Sequence, residues 1–289
     1  MNQSLDAFKG QPQKVSFQGV PGAYSNMACK AALPGWEVHP CHDFEEAFAA
    51  VTDGLVTLAM IPIENSTAGR VADIHHLMPG SGLHIIGEHF QPVEHQLLVN
   101  NGVKLEDIKE VRSHEQALSQ CRDKMRSLGI EPVKYPDTAG AAQDLAHNPR
   151  ADGAAIASRL AAELYDLDVL LEDVGDQVGN TTRFVILSRE AIRPVQGSGQ
   201  AMTSLVFQVE SHPAALYKAL GGFATNGVNL TKLESYLDGE FTVAQFYVDL
   251  EGHIDDEAMQ YALKELKYFG SYDHLGTYPA NEFRLKAGK

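Results

Sequence analysis

Val228-Asn229-Leu230-Thr231-Lys232-Leu233-Glu234-Ser235-Tyr236-Leu237-Asp238-Gly239-Glu240-Phe241-Thr242-Val243-Ala244-Gln245-Phe246-Tyr247-Val248-Asp249-Leu250 decides the fold of the C-terminal part of this chain. Two strand-like runs, 228–237 and 240–250, flank Asp238-Gly239, the dipeptide favoured in two-residue hairpins because both central residues take positive φ. Just upstream, Leu205, Phe207 and Val209 alternate as in a half-buried strand. Pro213 suits the first turn of a helix that Asn226-Gly227 can close in the left-handed conformation. Downstream, Met259, Leu263, Leu266 and Phe269 recur at helical spacing, and 272–278 reads as a last strand. The order βαββαβ predicts a ferredoxin-like topology over 202–280, folding as an independent unit.

Working outward, 188–201 contains Pro194, Gly197 and Gly199 with little apolar content, and 191–201 reads as a linker. Before it, short apolar runs alternate with helical periodicity, the pattern of an α/β sheet. Strands are expected at 14–18 and 57–63, with an amphipathic helix carrying Phe44, Ala47, Phe48 and Val51 between them. After an extended segment, 83–99, a second series follows: strands at 109–112, 132–135, 153–157, 169–171 and 183–187, with one helix over 115–128 and others over 138–146 and 158–165. Long extended crossings suggest two lobes with a cleft between them, lobe 1 spanning about 14–94 and 175–190 and lobe 2 about 95–174, although the crossings could equally stay within one sheet.

Bulk properties narrow the functional classes. The 289 residues suffice for one large or two smaller domains, and 44% hydrophobic with 21% charged residues is ordinary globular composition. No run of about 18 apolar residues exists to span a membrane, and the polar N-terminus lacks a secretory apolar core. Cys29, Cys41 and Cys121 are scattered and read as reduced thiols of a cytoplasmic protein. A net charge of −15 without a basic stretch argues against nucleic-acid and anionic-membrane partners. It leaves room for an anionic small molecule, because a few donors in a cleft override the mean field.

Three loops at strand ends could carry chemistry, since ligands of open α/β sheets favour the carboxyl ends of strands. Gly19-Val20-Pro21-Gly22-Ala23-Tyr24-Ser25 contains a Pro-Gly turn that can aim Tyr24, Ser25 and the following backbone N–H groups at an anion, or simply connect strand to helix. Ile63-Glu64-Asn65-Ser66-Thr67 sets four consecutive hydrogen-bonding side chains after an apolar strand, more than helix capping needs. Gly179-Asn180-Thr181-Thr182-Arg183-Phe184 offers an arginine able to grip a carboxylate, or to brace a strand edge, with Thr182 beside it as a neutral donor. Ser113-His114 lies at a strand-to-helix junction and would face the cleft from lobe 2. His39-Pro40-Cys41-His42 lacks a second ligand pair and metal spacing, and no nucleophile elbow, phosphate loop or dinucleotide fingerprint appears, so neither metal nor cofactor is expected.

In that ordered combination the chain resembles the prephenate dehydratase family from Val15 through the final strand. The glycine turn with Ala23-Tyr24-Ser25, the Pro62-Ile63-Glu64-Asn65-Ser66 loop and Thr182-Arg183-Phe184 carry the likeness. Gly227 to Ser235 carries it for a C-terminal ACT regulatory domain. The resemblance implies a periplasmic-binding-protein-like catalytic region over 14–190 and decarboxylative dehydration of prephenate to phenylpyruvate. It implies Thr182 assisting departure of the ring hydroxyl, by a hydrogen bond relayed from water or Glu64. Arg183 would anchor the pyruvyl carboxylate or brace the loop. Asn65, Ser66 and Thr67 would orient the substrate, with Tyr24, Ser25, Ser113, His114 and Phe184 completing the wall. It further implies phenylalanine as an effector at Leu216, Asn229, Leu230, Thr231 and Ser235, and a homodimer or homotetramer.

Two positions depart from the family pattern. Ala214 stands where a Gly-Ala-Leu motif has its glycine, which could narrow a phenylalanine pocket, and Tyr236 stands where arginine is common. Arogenate in place of prephenate, and a two-lobed sensor of aromatic or amino acids without catalysis, are the competing readings.

Overall fold

The computed structural model describes residues 6–71, 74–210, 213–237 and 244–287, which build three sheets. Lobe 1 runs β1 (Lys14–Gln18), α1 (Tyr24–Ala32), β2 (Glu37–Cys41), α2 (Phe44–Thr52), β3 (Leu58–Asn65), the short β4 (Gly69–Arg70), α3 (Ile74–Leu77) and β5 (His84–Pro92). Lobe 2 then follows with β6 (Gln96–Val99), β7 (Glu110–Ser113), α4 (Glu115–Gln120), α5 (Arg122–Leu128), β8 (Glu131–Lys134), α6 (Thr138–His147), β9 (Gly153–Ala157), α7 (Arg159–Tyr165) and β10 (Asp168–Leu171). The chain returns as β11 (Thr181–Ser188), antiparallel between β3 and β5, giving β2-β1-β3-β11-β5 in lobe 1 and β10-β6-β9-β7-β8 in lobe 2. The extended segment 83–99 therefore divides between two sheets, and the crossings join separate lobes.

Strand alternation decides what β11 offers to each side. Phe184 and Ile186 pack with Phe17, Met60 and α1 on one face of the sheet, while Val185 and Leu187 pack with Ile61, Ile63 and α2 on the other. Consecutive residues of this strand cannot serve the same surface. That rule governs the site.

The helix expected over 115–128 is two helices broken at Cys121, whose φ of −117° leaves the helical region. The break is held from a distance: both carboxylate oxygens of Asp176 accept the N–H groups of Asp123 and Lys124 at 3.1 Å, and the Asp176 N–H donates to the Gln120 carbonyl at 2.7 Å. A carboxylate at the N-terminus of α5 also suits the helix dipole. Gln120 is left at the end of α4, facing the other lobe.

The C-terminal part consists of β12 (Ala201–Val209), α8 (Ala215–Thr225), β13 (Leu230–Leu237), β14 (Ala244–Glu251), α9 (Glu257–Leu266), β15 (Gly270–Pro279) and α10 (Glu282–Ala287). Its antiparallel order β13-β14-β12-β15 is ferredoxin-like. The Asp238-Gly239 turn lies outside the described residues, and the register Leu237↔Ala244 closes the pair around it. Strand β12 begins at Ala201, one residue inside the expected linker.

This part is not independent of the lobes, contrary to expectation. One face of its sheet, with Leu205, Phe207 and Val248, buries against α8 and α9. The opposite face sends Met202, Val206, Tyr236, Tyr247 and Tyr278 into the lobe 1 core. Gly276 permits the approach, since a Cβ there would sit 2.0 Å from the Ile85 carbonyl oxygen. Helix α10 closes the joint: Phe283 stacks on Phe90 at 4.5 Å, and Arg284 Nε pairs with Glu88 at 2.8 Å.

Candidate active site

A cavity of about 490 Å³ opens between the lobes. Lobe 1 contributes Tyr24, Ser25, Asn65, Arg70, Thr182 and Phe184, and lobe 2 faces them with His114, Gln120 and Asp137, with His95 at the crossing. The glycine turn fastens the lobes together here. Gly22, at φ +93°, leaves no room for a side chain, since a Cβ would lie 2.9 Å from Ala161 Cα. Ser158 Oγ donates to the Gly22 carbonyl at 2.5 Å, and Tyr165 donates to that of Pro21 at 2.7 Å.

Asn65 organises the centre. Its Oδ1 accepts the N–H groups of Thr67 at 3.0 Å and Ala68 at 2.8 Å, which fixes the orientation of its amide. Nδ2 must then donate, and it reaches Asn180 Oδ1 at 2.7 Å and Thr182 Oγ1 at 2.9 Å. With an N–H already pointed at its oxygen, Thr182 is set to direct its own proton elsewhere, and its side chain lines the cleft.

The chain of donors continues to lobe 2. Asn180 Nδ2 donates to Gln120 Oε1 at 3.1 Å, and the same oxygen lies 2.7 Å from His95 Nε2. That oxygen can only accept, so Nε2 carries the ring proton and Nδ1 accepts the Tyr24 hydroxyl at 2.9 Å. The hydroxyl also lies 3.0 Å from the Glu94 carbonyl. Burial lowers the pKa of His95 and raises that of Tyr24 well above its ordinary value, so both stay neutral. From Tyr24 to Thr182 the wall is one series of uncharged groups. None of it adds a formal charge to the cleft.

The structure sorts the expected site residues into two groups. Tyr24, Ser25, Asn65, His114, Thr182 and Phe184 share the cleft, and Thr67 lines an adjoining pocket with His95, Gln120 and Asn180. Ser66 is exposed and ties the loop to β11: its Oγ accepts the Thr181 N–H at 3.0 Å. Ser113 is fully buried within lobe 2, where its hydroxyl donates to the Ile156 carbonyl at 2.6 Å, so it does not reach the cleft.

Arg183 and Glu64 require the largest correction. Arg183 is 1% exposed and lies on the face of β11 turned toward the C-terminal sheet. Its guanidinium pairs with Glu88 at 2.8 Å, Glu64 at 3.0 Å and Asp249, and donates to the Tyr278 hydroxyl at 2.9 Å. No donor is directed at the cleft, so it braces the joint and does not anchor a substrate carboxylate. Glu64 also receives Lys232 Nζ at 2.7 Å. Burial alone would raise its pKa, but Arg183 and Lys232 outweigh that and hold it below the ordinary value. It is therefore no proton source for Thr182. Alternation along β11 could have separated Thr182 from Arg183 in advance. Along β3, the register shift between Phe184↔Pro62 and Arg183↔Glu64 reverses the facing of Glu64 and Asn65, which local periodicity does not reveal.

His95, Gln120, Asn180, Arg70 and Asp137 escaped the sequence reading. Asn180 sat inside a quoted motif, but nothing local distinguished Gln120, whose placement depends on Asp176. Among the described residues no group of three or more His, Cys, Asp or Glu is placed to hold a metal ion.

Fold and site together define a class: a two-lobed α/β protein with an interlobe cleft that has a series of neutral hydrogen-bonding groups, from Tyr24 to Thr182, along its wall. A family model described as Prephenate dehydratase matches residues 15–192. A bifunctional N-acyl-homoserine lactone acylase/prephenate dehydratase of Komagataeibacter europaeus is 50% identical over 94% of this chain and 98% of its own length. Arogenate dehydratase 2 of Petunia hybrida is 41% identical over 95% of this chain and 74% of its own. A solved prephenate dehydratase of Arthrobacter aurescens in complex with L-Phe superimposes with a TM-score of 0.85 at 32% identity, covering 93% of this chain and 90% of that one. The chain belongs to the prephenate dehydratase family.

Proposed function

We propose that the cleft converts prephenate to phenylpyruvate, releasing water and carbon dioxide as the ring becomes aromatic. Loss of the ring carboxylate supplies the electron pair, the ring hydroxyl departs, and one proton is taken up overall. Aromatisation drives the reaction, so no potent nucleophile is needed. The groups required are a donor to the departing oxygen and walls that do not stabilise the ring carboxylate in the ground state. The observation that carries this reading is the fixed Asn65 amide, whose N–H occupies the Thr182 oxygen and leaves the threonine proton for the leaving hydroxyl. Tyr24, His95, Gln120 and Asn180 keep that amide pair in register.

The C-terminal ferredoxin-like part is, in this reading, an ACT domain that binds phenylalanine, as the Arthrobacter relative was solved with L-Phe. Leu230 and Thr231 open β13 directly after Asn229, whereas Ser235 lies roughly 13 Å beyond Thr231 at about 3.3 Å per residue. Leu216 packs on α8 against the core. A site holding Ser235 with the others would need a second protomer, which fits a homodimer or larger assembly. Localisation in the cytoplasm belongs to the same reading.

Incubating the purified protein with prephenate and following phenylpyruvate tests the activity, with arogenate in a parallel reaction to decide the substrate. Conversion of neither would refute it. Isothermal titration with phenylalanine tests the effector site, and no heat at millimolar ligand would count against it.

A further inference from the structure

Neither Arg183 nor Arg70 is turned toward an anion in the cleft. Arg183 is enclosed in the domain joint. Arg70 stands opposite Glu64 in the β3–β4 register, and its Nη1 donates to the Ser235 carbonyl of β13 at 3.1 Å. What the cleft offers a carboxylate instead is the uncharged end of a helix.

Helix α1 begins at the cleft, where Gly19, Ala23, Tyr24 and Ser25 all line the wall. Its N-cap residue is Ala23, which has no side-chain oxygen to accept a hydrogen bond. The first turn of a helix leaves its N–H groups without intrahelical acceptors. Here those of Tyr24, Ser25 and Asn26 have no acceptor among the described residues. The helix dipole favours negative charge at this end.

Two side chains at the same end also lack partners. Ser25 is only 9% exposed and lines the cleft, yet its hydroxyl makes no hydrogen bond among the described residues. Asn26 is fully buried; its Oδ1 accepts the Gly22 N–H at 3.1 Å, and its Nδ2 has no acceptor. Lobe 2 holds this end in place, because Ser158 and Tyr165 donate to the carbonyls of Gly22 and Pro21. The Tyr24 hydroxyl is tied to His95. The donors are therefore oriented before any ligand arrives, which lowers the entropic cost of binding one.

We propose that the N-terminus of α1, together with the Ser25 hydroxyl, receives the side-chain carboxylate of the substrate, the one retained in phenylpyruvate. The ring carboxylate is not held there, because tight pairing would stabilise the group that has to leave as carbon dioxide. This rests on the prephenate dehydratase reading above and names the groups that anchor the substrate in that cleft.

Steady-state kinetics of the full chain provide the test, with the unfolding midpoint of each variant measured alongside. Ser25→Asp places a carboxylate in the cradle itself. It should raise KM for prephenate by about 100-fold or more while the midpoint stays level or rises, since an acid suits a helix N-terminus. Ser25→Ala removes one hydrogen bond to a charged group and should raise KM by about 10-fold, with a smaller change in kcat. Ser25→Thr should recover most of that loss. Phenylpyruvate carries only the side-chain carboxylate, and its calorimetric affinity for Thr182→Ala protein should fall by the same factors when each Ser25 change is added. A wild-type KM in folded Ser25→Asp overturns the cradle and leaves the activity intact, and a wild-type KM in Ser25→Ala overturns the part given to the hydroxyl. Weakened prephenate binding with undiminished phenylpyruvate binding would put the ring carboxylate at α1 and overturn the assignment. A wild type that converts neither prephenate nor arogenate overturns the underlying reading and this inference together.

Discussion

Thr182 and Arg183 are neighbours in the chain, yet they belong to regions built on opposite principles. On the cleft side, Thr182 ends a series of neutral, mutually oriented hydrogen-bonding groups that runs through Asn65, Asn180, Gln120 and His95 to Tyr24. The opposite face is a buried charge network of Arg183, Glu88, Asp249, Glu64 and Arg284, closed by Tyr278 and Ser204. Neutral groups suit a cleft that must release a carboxylate as carbon dioxide, because a strong ion pair would stabilise the state that has to react. Charges suit the joint, where each carboxylate has a cationic partner and a wrong docking would leave a buried charge unpaired. The difference teaches that adjacent letters of one motif can serve two surfaces because a strand presents them to opposite sides.

The comparison can be broken most severely at the joint. Arg183→Ala leaves Glu88 with Arg284 alone and the fully buried Asp249 with Arg284 only at 3.9 Å, and is expected to cost about 3–5 kcal/mol, measured by urea unfolding. Any loss of activity should then follow loss of folded protein. A stable Arg183→Ala variant would show that the network contributes little. On the cleft face the expected result is reversed. Thr182→Ala should lower kcat by about 10²–10⁴-fold with stability close to wild type, and Thr182→Ser should retain much of the activity. A folded alanine variant with nearly full kcat would remove Thr182 from the mechanism.

A smaller effect separates the two regions by pH. Because burial lowers the His95 pKa from 6.5, the unfolded chain binds a proton over the interval just below 6.5 that the folded chain refuses. Stability contributed by neutral His95 is therefore complete above 6.5 and declines as pH falls through that interval. His95→Gln should flatten this part of the stability profile. Asp249 behaves in the opposite range: Arg183 and its hydrogen bonds outweigh burial and lower its pKa from 3.8, so its contribution persists at neutral pH and is lost only in strong acid. Persistence of the full slope in His95→Gln would assign it to other groups.

The smallest expected change lies outside both faces. Ala214 adopts φ +63°, a left-handed conformation that costs a non-glycine residue about 1–2 kcal/mol. Ala214→Gly should stabilise the protein by about 1 kcal/mol, less the entropy that glycine loses on folding, as read from the unfolding midpoint. An unchanged or lower midpoint would show that the strain is already relieved locally.

The sequence alone determined the features that depend on short-range order. Alternation and helical spacing specified the C-terminal βαββαβ order, and capping and turn residues located the loops that carry Asn65 and Thr182, because those preferences are set within a few residues along the backbone. Only the tertiary structure decided which side chains meet. Asp176 breaks a helix at Cys121 to deliver Gln120, and β13 reaches across the joint to hold Arg70. The face of β11 that meets the C-terminal sheet became the burial place of Arg183. Each of these depends on contacts between groups distant in sequence, and no local pattern encodes the partner that a long-range contact will supply.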